Sequence, residues 1–155
     1  MRLHSLILTT LILFNLSPAL AATQDIADLT IINSGSTNMA GYRIEVLPNG
    51  NMVYGSGVNI RSAVLPAAVA QKLFSDVRAA QPFAQLALKP CMKSASFGST
   101  TILNYKNETS PDISCPGSPK AAALYADVQT VRQAAGVNLV PRRQFPMPFT
   151  GQKAQ

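Results

Sequence analysis

Two cysteines, one lysine in a run of hydroxyls and seven scattered carboxylates are the residues through which this chain could do chemistry. Cys91 and Cys115 are its only thiols. Redox chemistry usually needs closely spaced cysteines such as Cys-x-x-Cys, next to groups that lower a thiol pKa. This spacing instead suits a structural bridge, provided the chain reaches an oxidising compartment. Closing a loop of that length stabilises a fold by roughly 3–4 kcal/mol in the chain-entropy treatment.

The segment Lys93-Ser94-Ala95-Ser96-Phe97-Gly98-Ser99-Thr100-Thr101 is dense in hydroxyls around one lysine. A serine–lysine pair can run acyl transfer without histidine, but neither Ser-x-x-Lys nor Gly-x-Ser-x-Gly occurs here. Adjacency of Lys93 and Ser94 does not set the geometry of a dyad. A milder role is contact with a partner or an anion, in which Lys89, Lys93, Ser94, Ser96 and backbone N–H groups meet a phosphate or carboxylate. The plain alternative is a polar loop whose hydroxyls face water.

Asp25, Asp28, Glu45, Asp76, Glu108, Asp112 and Asp127 are the carboxylates. Glycoside hydrolysis needs two of them facing each other about 5–10 Å apart, and the sequence forces no pair together. Asp112, following Ser110-Pro111, reads as the acceptor of a local turn hydrogen bond. No Asp-rich loop suggests calcium. The sequence therefore nominates no catalytic residue, no metal ligand and no cofactor.

The N-terminus explains why histidine chemistry is also missing. Met1-Arg2-Leu3-His4 carries a positive charge, Leu6–Leu16 is mostly apolar, and Ala19-Leu20-Ala21 places small residues where a signal peptidase reads them. A mostly apolar run of eleven residues at ~1.5 Å each is too short for a ~30 Å bilayer core. Residues 1–21 are thus expected to be a cleaved signal peptide, and cleavage would remove His4, the single histidine. That takes away the usual general base and the commonest metal ligand. Losing Arg2 as well lowers the formal net charge from +6 to +5.

A basic exported domain is expected among acidic neighbours, so the partner is an unknown protein or an anionic envelope component. Nucleic acid is not expected, since no basic stripe is interleaved with aromatics. No later stretch could span a membrane. The expected location is the periplasm or outside the cell.

The remaining chain must position these residues. Leu29–Ile32 reads as a short strand, followed by a polar loop, Asn33–Asn38, that could be a recognition loop or a simple connection. Tyr42-Arg43-Ile44-Glu45-Val46 alternates at period two. Asn49-Gly50 then predicts a two-residue hairpin turn with Val46 opposite Val53 and Met52–Tyr54 returning. Pro66 opens a helix with Val69, Leu73, Val77 and Ala80 on one side, and Pro82 ends it.

Thr100–Tyr105 reads as a strand, Asn107–Pro111 as a turn and Asp112–Cys115 as the return. Ser118-Pro119 starts a second helix, with Leu124, Val128, Val131 and Ala135 as its stripe and Gly136 as its stop. Ala70, Leu73, Phe74, Asp76 and Val77 match Ala121, Leu124, Tyr125, Asp127 and Val128 at a constant offset, as a duplication or a coincidence of alanine-rich helices would produce.

The fold class expected is α+β: an antiparallel sheet of four to five strands with two helices on one face, in hairpin-helix-hairpin-helix order, with one disulfide. Residues 22–140 form the single domain. Residues 141–155 are a proline-rich tail in which Arg142 and Arg143 precede Phe145, Met147 and Phe149, so it could dock an acidic or aromatic groove.

Three functions follow. The leading one is a non-catalytic exported domain that binds another macromolecule. The second is a protein inhibitor of an envelope or extracellular hydrolase that presents the loop near Lys93 or near Ser36; the layout is similar to exported inhibitors of that kind, an analogy of architecture alone. The third is a histidine-free hydrolase.

Overall fold

A computed structural model describes residues 28–137 apart from 57 and 58. The expected signal peptide of residues 1–21 and the tail with Arg142 and Arg143 lie outside the described residues.

Six strands form one antiparallel sheet: β1 (Leu29–Asn33), β2 (Tyr42–Val46), β3 (Asn51–Ser56), β4 (Asn59–Val64), β5 (Thr101–Tyr105) and β6 (Glu108–Thr109). Their spatial order is β4-β3-β2-β1-β5-β6. Helix α1 (Ala67–Ala80) follows β4, and α2 (Pro119–Ala134) follows β6. The fold is α+β, with one strand more than the upper expectation.

Alternation decides which face is covered. Leu29 and Ile31 on β1, Tyr42, Ile44 and Val46 on β2, and Leu103 and Tyr105 on β5 are buried in one cluster with both helices. Helix α1 supplies Ala70, Leu73, Phe74, Val77 and Ala80. Helix α2 supplies Leu124, Val128 and Val131, with Ala135 just past its end. Each fully buried leucine, valine or isoleucine stabilises the fold by about 1.5–3 kcal/mol before entropy is charged against it. Ser118 caps α2 through Oγ, which accepts from Ala121 N at 3.3 Å. Gly136, at φ +62°, stops that helix as expected.

The first hairpin differs in register from the expectation. Val46 lies opposite Met52, and Val53 lies opposite Glu45. Leu47 N–H donates to Asn51 O at 2.9 Å and Gly50 N–H donates to Leu47 O at 2.9 Å, so Pro48-Asn49-Gly50 is a three-residue loop. Pro48 presets its own φ for the first turn position, which moves the bend one residue earlier. Only Gly50 then needs positive φ, at +89°. The shift buries Met52 and exposes Val53.

The second hairpin is also corrected. The bend falls at Lys106-Asn107, where Lys106 takes φ +54°, and the return strand is Glu108–Thr109 rather than Asp112–Cys115. Pro111 has no N–H to continue a ladder. Residues 110–113 still run beside β5: Ser110 N–H donates to Leu103 O at 2.8 Å, and Ile113 N–H to Thr101 O at 2.9 Å. Strand β4, which no alternating apolar pattern announced, is exposed along nearly its whole length.

Candidate functional site

Pairing of β1 with β5 sets Asn33 opposite Thr101, so the loops leaving β1 and entering β5 meet at one end of the sheet. These are the two loops that the sequence nominated. Ser34 N–H donates to Thr100 O at 3.0 Å, and Thr100 N–H returns a bond to Ser34 Oγ at 2.9 Å. Ser36 Oγ donates to Ser96 O at 2.7 Å, and Asn38 N–H donates to the same carbonyl at 3.1 Å. Beneath them the buried Asn33 amide donates to Ser99 Oγ and Thr101 Oγ1, both at 3.0 Å, while its Oδ1 accepts from Gly35 N at 2.9 Å. Several of the hydroxyls therefore hold the loops together instead of facing water.

The disulfide fastens the same region from the other side. Cys91 and Cys115 are bonded, with Cα atoms 6.0 Å apart, and no cysteine is free. Lys89 N–H donates to Cys115 O at 2.9 Å, and Gly117 N–H donates to Ala87 O at 3.0 Å. The strand-like approach to Cys91 is thus tied to the segment leaving Cys115. The bridge matches an oxidising compartment.

Lys93 reaches across this stapled segment. Its ammonium pairs with Asp112 Oδ2 and donates to Ser114 Oγ at 2.6 Å and to Ser99 O at 2.7 Å. Three acceptors match the three N–H bonds of an ammonium. Ser114 Oγ in turn donates to Asp112 Oδ1 at 2.6 Å, and that oxygen also accepts from Thr101 N at 2.9 Å and Ser114 N at 3.1 Å. Partial burial pushes the Asp112 carboxyl up, but the bonds from Lys93, Ser114 and the two backbone N–H groups outweigh it and hold the group at about 2. Asp112 does make the local turn bond expected of it, and a long-range ion pair besides.

This geometry bears directly on the serine–lysine reading. A dyad needs a neutral amine that accepts the serine proton. Here Lys93 is engaged by Asp112, Ser114 Oγ and Ser99 O together, and Ser114 Oγ also bonds Asp112 Oδ1. Ser94 is occupied differently: its Oγ accepts from Ser96 N at 3.2 Å and Phe97 N at 3.1 Å, capping the turn at residues 95–97. The positive charge of Lys93 is neutralised inside the cluster, so an external anion gains little from it. Lys89 remains an exposed residue near the staple.

Two large apolar side chains stand out from this held backbone. Met92 is fully exposed and Phe97 is 67 % exposed. The turn that carries Phe97 closes through Gly98 N–H, which donates to Ser94 O at 2.6 Å. A Cβ at Gly98 would lie 2.5 Å from that same oxygen, so this close turn requires glycine. Sequence reasoning singled out Lys93, Ser94 and Ser96 but passed over Met92 and Phe97. Their apolar character beside a cysteine, in a polar segment, was the available signal.

A second charged group, also unexpected, joins the helices. Lys72 Nζ donates to Asp76 Oδ2 at 2.7 Å and to Asp127 Oδ1 at 2.6 Å. Two carboxylates that the sequence left apart are thus brought together, because α1 and α2 pack side by side. Bonds to Asp127 and then Asp76 raise Lys72 to about 12. Burial pushes Asp127 up, whereas the Lys72 bond pulls the outer Asp76 down. With the ammonium between them, the pair clamps the helices.

Among the described residues, no group of three or more metal-ligating side chains occurs, and no helix is long and apolar enough to cross a membrane. The chain matches no protein-family model and no curated protein.

Proposed function

We propose that this chain is an exported recognition domain that binds a partner protein through its stapled double loop, residues 34–41 and 91–100. The observation that carries this reading is the pairing of Met92 and Phe97, both exposed, with a backbone already fixed by the disulfide, the Lys93 cluster and the Ser36–Ser96 bonds. An apolar side chain on a pre-ordered loop contributes to binding without the entropy cost of ordering that loop. Buried aromatic anchors of this kind dominate many protein interfaces. An apolar tip with its nearby lysine internally neutralised fits a protein surface better than an anionic polymer.

Inhibition of a hydrolase is the second reading, and it rests on Phe97. A single aromatic on a capped turn is shaped to enter a cleft. The third reading, a histidine-free hydrolase, has less support, since Lys93 and Ser114 are both tied to Asp112.

The test is the native size of the protein recovered from exporting cells. Wild type is expected in a complex heavier than two copies of itself, with Phe97→Ser released from it and Lys120→Ser retained. A chain that never exceeds two copies, or a Phe97→Ser variant that stays bound, would overturn the reading.

A further inference from the structure

The two edges of the sheet are finished in opposite ways. β6 is two residues long, and Glu108 on it accepts from Gln81 Nε2 and Phe83 N, both at 3.1 Å. That edge is blunted. β4 is six residues long, pairs with β3 in an unbroken register, and contains no proline. Among the described residues nothing pairs with its outer side. Natural sheets usually protect such an edge with proline, a bulge or an inward charge; β4 has no proline or bulge, and its one charge, Arg61, lies opposite Tyr54 on the helix-side face but is exposed.

The hydrogen-bond phase identifies the groups left open. Leu65 N–H donates to Gly50 O at 2.8 Å, which continues the β3–β4 ladder beyond Val64. Alternation in an antiparallel pair then turns the N–H and C=O of Ala63, Arg61 and Asn59 toward β3. Those of Ile60, Ser62 and Val64 face outward. The side chains of these three share the sheet face away from the helices, where Ile60 is 72 % and Val64 is 68 % exposed.

We infer that β4 pairs antiparallel with β4 of a second copy of this chain, about a two-fold axis at Ser62. In that register Ser62 faces its own counterpart, and Ile60 faces Val64 of the second copy on both sides of the axis. All open backbone groups of Ile60, Ser62 and Val64 are then satisfied, by about six hydrogen bonds. Arg61 faces Ala63, so no like charges are opposed. Sliding by two residues one way sets Arg61 against Arg61, which is repulsive. Sliding the other way sets Ile60 against Pro66, which has no N–H. The strand is self-complementary in one register.

The pairing joins two sheets into one and is reversible, because a strand edge buries less area than a permanent interface. It is independent of the double-loop reading, since it uses a different part of the molecule.

Sedimentation equilibrium of the purified exported chain from roughly 5 to 500 μM tests it, a range suited to a small interface. The mass is expected to climb from one copy toward two. Ser62→Pro removes an N–H that the monomer does not use, and should weaken association by about tenfold or more. Circular dichroism checks that the fold is kept. Ile60→Lys with Val64→Lys should abolish pairing, whereas Ile60→Lys with Val64→Glu should retain it, since opposite charges then meet across the axis. A mass of one copy throughout, or equal association of both double variants, would overturn the inference.

Discussion

Lys93 Nζ sits 2.6 Å from Ser114 Oγ, and both groups are bonded to the Asp112 carboxylate. Together with Asp112 the two residues form a lock. The lock connects the segment after Cys91 to the segment before Cys115, so ion pair and disulfide brace one loop.

Acid should release that lock first. The Asp112 carboxyl is held at about 2, below its ordinary value near 3.8, so its contribution is complete above about pH 4 and is lost as pH falls through about 2. Denaturant unfolding between pH 7 and pH 2 should show wild type losing stability across that window. Asp112→Asn should be less stable at pH 7, with a flatter decline below pH 4.

Removing the disulfide tests the other brace. Cys91→Ser with Cys115→Ser should lower unfolding free energy by about 3–4 kcal/mol, from the loop entropy returned to the unfolded chain. Urea titration of the double variant against the oxidised parent measures it. Loop amides near Phe97 should also exchange faster with solvent.

The helix clamp predicts a coupling. Lys72→Met leaves the buried Asp127 carboxylate without its partner, so stability should fall at pH 7. Burial raises the Asp127 pKa, and a raised carboxyl penalises the fold where it is ionised, so part of the loss should return as pH drops and the group protonates. Lys72→Met with Asp127→Asn should recover most of it at neutral pH. Thermal unfolding of the three variants forms the cycle.

At the first hairpin, Gly50→Ala should cost about 1–3 kcal/mol. The residue sits at φ +89°, and an added Cβ would lie 2.8 Å from Leu65 O, whose residue anchors the start of α1. Asn49→Ala should cost less, since Asn49 contributes one exposed bond, from Asn51 N to its Oδ1 at 2.9 Å. Paired denaturation curves separate the two.

Local signals made much of this fold legible. Pro66, Ser118-Pro119 and Gly136 marked the helices, and the stripes through Leu73 and Leu124 are the buried ones. Two kinds of information were missing. β4 carries Asn59, Arg61, Ser62 and exposed Ile60 and Val64, so it has no buried face to leave a periodic trace. Pro48 outvoted Asn49-Gly50 in choosing the turn, which moved Val53 out of line with Val46.

The site was legible in pieces. The loops near Ser36 and Lys93 were both nominated, but their union depends on β1 pairing with β5 from more than sixty residues away. The meeting of Lys93 with Ser114 and Asp112, about twenty residues on, was hidden because it depends on the disulfide and on the path of residues 110–113 beside β5.

A photoreactive side chain placed at Phe97, compared with one at the exposed Lys120 on α2, tests the binding claim most directly in exporting cells. The expected result is one discrete adduct between this chain and a different protein from the Phe97 position, absent from the Lys120 position and lost when Cys91 and Cys115 are both replaced by serine. Labelling that is equal at the two positions, or no adduct at Phe97, would contradict it.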